Sequence, residues 1–452
     1  MREIIPEKLQ TLAQNCPAPL YVVGGSVRDY LAKLTPLNKK RDWDICAPLP
    51  CETFEKYAKS LGFVIKAVYA HTGTVKLLDS EKTEYEYTCF RSDKYVRGIH
   101  APVEIYFTDD IKADARRRDF TSNAVYYDIK SNEFCDPLGG VDDIKNKRLR
   151  TVAPAKKVFG EDGLRLMRLA RQAAELGFSP DKECILGAQE NAALIQDISA
   201  ERIFTELSAI VYADGRYGFK NAHYHGLSLL NEIGVLDFIL PELVLGRNMA
   251  QRPDFHKYDV LEHSLRAVLY AEKEVRFAAL FHDVGKPFCQ LRDGNGFAHP
   301  EEGARLTREI LSRLKAPKRF TEETAKLVEL HMYDFNCQTR ENKLRKFFVE
   351  HYPFLQSLLL LKQADFSACA DNRSIAPTCA RWQSLLTKMQ AEQAPFTLKA
   401  LAVDGKDLLS LGLQPKSVSK TLNTLLVHAA IHPKDNEKPK LLKLAVSLQK
   451  TL

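Results

Sequence analysis

No apolar run in this sequence reaches the roughly 18 residues that a membrane-crossing helix needs, so no membrane partner is expected. The opening segment, MREIIPEKLQTLAQ, is polar and amphipathic and has no apolar signal core. The ten cysteines are scattered singly, without a C-x-x-C pair. That argues against a zinc ribbon or a disulfide framework and fits reduced thiols in a cytoplasmic protein. No low-complexity tract and no repeat at solenoid period occurs. Neither charge dominates: 65 Lys and Arg against 58 Asp and Glu leave a net +7. This mildly basic balance favours a polyanionic partner without requiring one.

The chain is otherwise of ordinary composition, 45% hydrophobic and 27% charged over 452 residues, enough for roughly two to four domains with real cores. Its basic residues cluster at Arg116-Arg117-Arg118 and at Arg165, Arg168 and Arg171. The most informative stretch is 21–46, YVVGGSVRDYLAKLTPLNKKRDWDIC. The apolar run Tyr21-Val22-Val23 stops at Gly24-Gly25 and restarts as a helix-compatible segment carrying Arg28 and Asp29. If 41–46 is a strand, Asp42 and Asp44 share a face and need cations between them. Paired carboxylates holding Mg²⁺ beside a Gly-Gly turn that admits phosphates suit nucleotidyl transfer. Either motif alone reads more simply as a turn and a solvated strand end.

Together they resemble the GG-x-V-R-D … D-x-D head of the class II tRNA nucleotidyltransferases (CCA-adding enzymes) and bacterial poly(A) polymerases, within the DNA-polymerase-β-like superfamily. Further motifs follow in the family's order. Segments 61–79 and 84–90 look like strands, with Glu84 and Glu86 alternating with Tyr85 and Tyr87. The family's E-x-T-x-F-R pattern marks Glu86 as a third acidic residue beside Asp42 and Asp44. Residues 91–107 resemble the flexible loop that in the family helps switch from adding C to adding A. DARRRDFTSNAVYYD (114–128) is similar to R-R-D-F-T-x-N-A. The resemblance implies that Arg118 holds the nucleotide while Asp119 and Asn123 fix sugar and loop, alongside Gly24, Gly25 and Arg28. DPLGGVDDIKNKRLRTV (136–152) matches a turn-helix element with a structural part.

Residues 160–178 read as an amphipathic helix. Glu161-Asp162-x-x-Arg165 matches the family's E-D-x-x-R motif. A carboxylate accepts from an exocyclic amino group and a guanidinium donates to ring acceptors. Asp162 and Arg165 can therefore imitate a base edge that accepts cytosine and adenine and refuses uracil and guanine. Arg168 and Arg171 would bind triphosphate or the incoming base. In 201–211, Arg202 and Glu206, one turn apart, read as a helix brace.

Residues 255–370 are helical by pattern and place His263, His282-Asp283 and Asp365 on separate segments, with His299 and His331 between. This resembles the HD-domain metal phosphohydrolases, in which such residues hold a divalent metal that activates water. The implied ligands are His263, His282, Asp283 and Asp365, with His299 and His331 available for a second metal or for phosphate. Residues 371–395 look like a linker. In the C-terminal stretch Gly405-Lys406-Asp407 opens a helix, and the resemblance implies tRNA-elbow binding there, with Lys406, Lys416 and Lys420 contacting phosphates.

The expected architecture is α+β: a nucleotidyltransferase α/β head (1–150) followed by an all-helical neck that binds RNA and nucleotide (151–245), an HD domain (250–372) and a tail (395–452). The implied function is addition or repair of the 3′-terminal CCA of tRNA from CTP and ATP with Mg²⁺, without a nucleic-acid template, with possible phosphohydrolysis at the HD site. The alternatives are an A-adding enzyme or poly(A) polymerase and, in another class, an HD phosphohydrolase with an RNA-binding head.

Overall fold

The computed structural model describes residues 1–38, 41–96, 102–254 and 256–449. The chain divides into two compact units, Met1–Val244 with Arg313–Ala316, and Leu245–Ser312 with Pro317–Leu452.

In the first unit, helix α1 (Glu7–Asn15) precedes strand β1 (Tyr21–Val23), helix α2 (Gly25–Leu31) and strand β2 (Trp43–Ala47). Helix α3 (Cys51–Ser60) leads to β3 (Val64–Tyr69), β4 (Thr74–Leu78) and β5 (Glu84–Cys89). A hairpin of β6 (Arg91–Lys94) and β7 (Glu104–Phe107) stands apart from the main sheet. Part of the loop expected within 91–107 lies outside the described residues. Helix α4 (Ile111–Arg116), β8 (Tyr126–Asp128), β9 (Phe134–Cys135) and helix α5 (Gly140–Lys145) complete the α/β part. The seven-stranded sheet has the order β3-β4-β5-β2-β1-β8-β9. Strand β2 runs antiparallel to β1 and parallel to β5.

Alternation decides which sheet face is which. Ile45, Val75, Leu77, Tyr85 and Tyr87 are buried, and Phe54 of α3 stacks on Tyr87 with ring centroids 3.6 Å apart. The opposite face carries Asp44, Glu86 and Lys76, each exposed. Turn residues 136–152 are structural, as expected: Asp136 accepts from the amides of Gly140 and Val141, and buried Asp143 binds Thr121, Arg148 and Arg150.

The helix expected over 160–178 is in fact two. Helix α6 (Ala155–Glu161) ends at Asp162, whose backbone is extended, and helix α7 (Leu164–Leu176) starts beyond Gly163. Asp162 Oδ1 accepts from the Leu164 amide and so supports the new helix start. A Cβ on Gly163 would stand 2.4 Å from the Leu194 carbonyl oxygen, so the break depends on glycine. Helix α7 packs against Ala200–Val211 and Ala222–Glu232. The expected Arg202–Glu206 brace is replaced: Glu206 accepts from Arg171 at 2.7 Å, a partner far away in sequence and half-buried beside it.

The second unit is helical. Its helices include Val260–Tyr270, Arg276–Phe281, Lys286–Asp293, His299–Arg313, Lys318–Leu330, Glu341–Glu350 and Leu355–Ala370. The linker expected over 371–395 contains a further helix, Pro377–Ala391, anchored by buried Cys379, Trp382, Leu385 and Met389. Gly405–Ser410 is a helix with a capping box between Asp404 and Asp407. Helices Pro415–Ile431 and Lys438–Gln449 follow, and Lys406, Lys416 and Lys420 are exposed. Among the described residues no helix is long and apolar enough to cross a membrane.

Candidate active site and metal centre

The first site is built where β1 and β2 end. Gly24 has φ +78°, a left-handed conformation open to glycine, and a Cβ there would stand 3.0 Å from Asp44 Oδ2. The Gly24-Gly25 turn thus brings backbone up to the carboxylate, and Ser26 donates to the Asp42 carbonyl. Asp44 and Glu86 are register partners on β2 and β5, so their side chains rise together from the open face. Asp42, just ahead of β2, turns towards the same space. Although the Asp44 side chain opens to the surface, the protein crowded around it strips water from the carboxyl and pushes it up to about 6; Arg118 opposes the shift, and Glu86 and Asp42 add to it. The grouping expected of Asp42, Asp44 and Glu86 is therefore present. Three carboxylates without a shared proton or cation repel one another, and hard oxygen donors of this kind fit a divalent metal.

A cavity of about 360 Å³ adjoins them, lined by Gly24, Gly25, Arg28, Arg118, Asp119, Asn123, Asp162, Arg165, Arg168 and Arg171 among others. All the nucleotide-binding residues expected from the sequence thus meet at one cavity. Their connections differ in kind. Asp119 is buried and pairs with Arg168 at 2.7 Å, while Asn123 and Gln172 also donate to it. Burial would raise its carboxyl, yet Arg168 and these hydrogen bonds hold it far below the usual range. Asn123 accepts from Arg28 at 2.8 Å, and Arg28 also grips Asp29. Arg118 is held by Asp114 at 3.1 Å and by the Tyr126 hydroxyl. Arg165 donates to Glu161 and to the carbonyls of Val158 and Arg117, and its guanidinium lies 5.4 Å from the Tyr95 ring centroid. Arg171 is fixed by Glu206 and Glu175. The guanidinium planes are thereby oriented before any ligand arrives, which suits bidentate recognition.

Sequence reading missed Arg41, Arg117, Gln172, Glu175 and Arg216 as cavity residues. Gln172 follows Arg168 by one helical turn, a spacing that could have shown it. Arg216 carried no such signal. It reaches the cavity through Asp214–Tyr217, where its neighbour Tyr217 donates to Asp29, and its guanidinium lies 3.7 Å from Asp42.

The second site gathers six buried or half-buried side chains in the helical unit. His263 comes from Val260–Tyr270, His282-Asp283 from the end of Arg276–Phe281, and Asp365 from Leu355–Ala370. His299 opens its helix, and His331 closes Lys318–Leu330. His263 Nε2 lies 3.1 Å from His282 Nε2 and 3.0 Å from Asp365 Oδ1. Asp283 faces two pairs of histidines: Oδ2 lies 3.2 Å from His282 and 3.5 Å from His263, and Oδ1 lies 3.4 Å from His299 and 3.9 Å from His331.

The ring nitrogens share one orientation. Nδ1 of His282, His299 and His331 each meets the carbonyl three residues earlier, at 2.6–2.7 Å. That commits the N–H to Nδ1 and leaves the Nε2 lone pair as donor. The Nε2 atoms of His299 and His331 then face each other at 3.2 Å, a repulsive contact unless a cation joins them. Two nitrogens about 2.1 Å from one metal would be spaced about 3.0–3.4 Å apart. Burial lowers the basicity of His299 and His331, keeping them neutral. At His282, Asp283 and Asp365 favour positive charge against burial, a charge that a divalent metal on Nε2 would supply in place of the proton. The donor set fits divalent metal.

The fold and these two sites define a nucleotidyltransferase-type head joined to an HD-type metal centre. Residues 20–150 match the Poly A polymerase head domain, 177–245 the "Probable RNA and SrmB- binding site of polymerase A", and 260–349 the HD domain. The chain is 30% identical to a multifunctional CCA protein of Tolumonas auensis over 77% of this chain and 84% of that one. It is 29% identical to an A-adding tRNA nucleotidyltransferase of Deinococcus radiodurans over 88% of each. In fold it is similar to the crystal structure of the Bacillus stearothermophilus CCA-adding enzyme in complex with CTP, with TM-score 0.66 at 23% identity over 98% of each chain. The chain belongs to the tRNA nucleotidyltransferase (CCA-adding) family.

Proposed function

We propose that this protein adds or repairs the 3′-terminal CCA of tRNA, taking CTP and then ATP without a nucleic-acid template. The observation that carries the reading is the meeting of Asp42 and Asp44, the latter paired across strands with Glu86, with a guanidinium-lined cavity. Asp42 and Asp44, with Glu86 beside them, would hold divalent metal, for which Mg²⁺ is the fitting ion. When bound, the metal activates the RNA 3′-hydroxyl and neutralises charge on the departing pyrophosphate. The chain's own residues do the rest. Arg118 and Arg168 present oriented donors to the triphosphate, and Asp162 with Arg165 offers the acceptor-donor edge that selects cytosine and adenine. Asp162→Ala tests this: UTP and GTP incorporation should rise relative to CTP, and unchanged selectivity would remove the protein-template reading. The homologous A-adding enzyme supports a narrower product, in which only the last A is added.

We further propose that the HD centre is a phosphohydrolase site. His263, His282, Asp283 and Asp365 would hold one divalent metal, and His299 and His331, sharing Asp283, a second. A metal held there would lend Lewis-acid activation of water and neutralise phosphoryl charge. Lys286, 2.6 Å from Asp283 and itself half-buried, stands ready to meet a phosphate oxygen. Release of inorganic phosphate from nucleotide esters, lost in Asp283→Asn and retained in Asp42→Ala, tests this; equal rates in both variants would refute it.

A further inference from the structure

His263 is the exception among the four histidines of the metal centre. The other three hold Nδ1 against a backbone carbonyl, whereas its Nδ1 meets none. Its Nε2 lies 3.0 Å from the Asp365 carboxylate, so the neutral ring carries its proton there. The remaining lone pair, on Nδ1, is fully buried and has no hydrogen-bond donor among the described residues. A buried acceptor without a partner costs free energy, and a cation that takes the lone pair removes the cost.

Two side chains outside the metal centre close on this ring. His256 stands perpendicular to it, with ring centroids 4.8 Å apart, and its own Nδ1 is enclosed and without a partner among the described residues. Cys369 follows Asp365 by one helical turn and is a half-buried free thiol. One ligand atom from each of His256, His263 and Cys369 lies within 4.8 Å of the others. Backbone fixes the grouping: the Lys257 amide donates to the Cys369 carbonyl at 2.9 Å, tying the loop that carries His256 to helix Leu355–Ala370.

A thiolate with two imidazoles is a softer donor set than the oxygens and nitrogens around Asp283, and it selects zinc-like ions over Mg²⁺ or Mn²⁺. Tetrahedral binding needs ligand atoms about 3.5 Å apart. Rotation of the Cys369 side chain and a small movement of the His256 loop provide that. His256 also lines a cavity of about 550 Å³, which gives an ion a way in and leaves room for water as a fourth ligand.

We propose that His256, His263 through Nδ1, and Cys369 form a further metal site, for a thiophilic divalent cation of the zinc class. Binding forms a metal–sulfur bond and releases the Cys369 thiol proton to solvent. A neutral imidazole has one lone pair, so this site competes with the proposed HD metal for His263. The competition rests on the HD reading; the site itself does not.

The test titrates full-length protein with Cd²⁺, a spectroscopic stand-in for zinc, and follows the thiolate-to-cadmium charge-transfer absorbance. A stoichiometric band is expected in wild type. Cys369→Ser should abolish its tightest component, and His256→Ala should raise the midpoint at least about tenfold. Both positions are half-buried, and circular dichroism checks that the variants fold. In wild type, stoichiometric Zn²⁺ should also protect Cys369 from iodoacetamide, read by mass spectrometry. A band unchanged in Cys369→Ser, or equal alkylation of Cys369 with and without zinc, would overturn the site. Saturating Mn²⁺ should raise the cadmium midpoint; a midpoint indifferent to Mn²⁺ while the Cys369-dependent band persists would overturn the sharing of His263 alone.

Discussion

Asp119 and Arg168 form a 2.7 Å ion pair that fastens the turn after α4 to helix α7. The carboxylate is buried and the guanidinium about one-third exposed. Removing one partner leaves the other uncompensated, so the proposed nucleotide site and the integrity of the first unit depend on the same pair. Arg168→Ala should cost on the order of 3 kcal/mol in unfolding free energy of that unit and also raise the KM for CTP. Arg168→Lys should recover part of the stability. Chemical denaturation followed by circular dichroism checks the first effect; an unchanged transition would mean Asp119 is held by Asn123, Gln172 and the Phe120 amide alone.

Acid should unfold the first unit earlier than its helix content suggests. Asp114 is held down to about 2 by Arg117, Arg118 and the Tyr126 hydroxyl, against burial, and Asp119 is lowered as well. Depressed carboxylates bind fewer protons folded than unfolded, so their stabilisation is complete above the unfolded value near 3.8 and is lost as pH falls through the folded one. For Asp114 that window runs from about pH 4 to about pH 2 and is worth about 2 kcal/mol. Thermal melts across this range should show Tm falling steeply in wild type and more gently in Asp114→Asn. Parallel slopes would contradict the assignment.

Gly163→Ala should destabilise the neck. Its new Cβ would sit 2.4 Å from a backbone carbonyl oxygen, which no rotamer change can relieve. A loss on the order of 2 kcal/mol is expected, together with poorer discrimination against UTP because Asp162 is the adjoining residue. A melt unchanged from wild type would show that α6 and α7 can separate freely.

The HD centre should bind metal independently of the head. In an Asp42→Asn background, which weakens head binding, Mn²⁺ titration followed by elemental analysis should give about two ions per chain. His331→Ala should lower this to about one, and Asp283→Asn should remove both. Stoichiometry insensitive to His331 would confine the centre to the His263, His282, Asp283 and Asp365 set.

Much of this was legible in the sequence where local pattern and chemistry coincide. The Glu84 to Tyr87 alternation announced a strand with one acidic and one apolar face, and β5 has that form. The Gly24-Gly25 turn and the Asp42, Asp44 pair were readable because glycine and carboxylate have few alternative uses together. The break at Asp162 and Gly163 was not readable, since the cause is the Leu194 backbone, brought close only by tertiary packing. For the same reason Glu206 was assigned a near neighbour instead of Arg171. Helix Pro377–Ala391 did carry a signal, with Pro377 at its first turn and Cys379, Trp382, Leu385 and Met389 at helical spacing, but the polar residues between obscured it. Arg216 is different again: only the fold brings it to Asp42.

The most direct test of the proposed activity uses purified protein, Mg²⁺ and three tRNA transcripts ending before CCA, after C, and after CC. Each receives CTP alone, ATP alone or both, with products resolved to one nucleotide and Asp44→Asn as the inactive control. CCA completed on all three transcripts and then halting, with the control silent, is the expected result. Extension of the CC-ended transcript alone would make the protein an A-adding enzyme, a long A ladder would make it a poly(A) polymerase, and addition by the control would contradict the role given to Asp44.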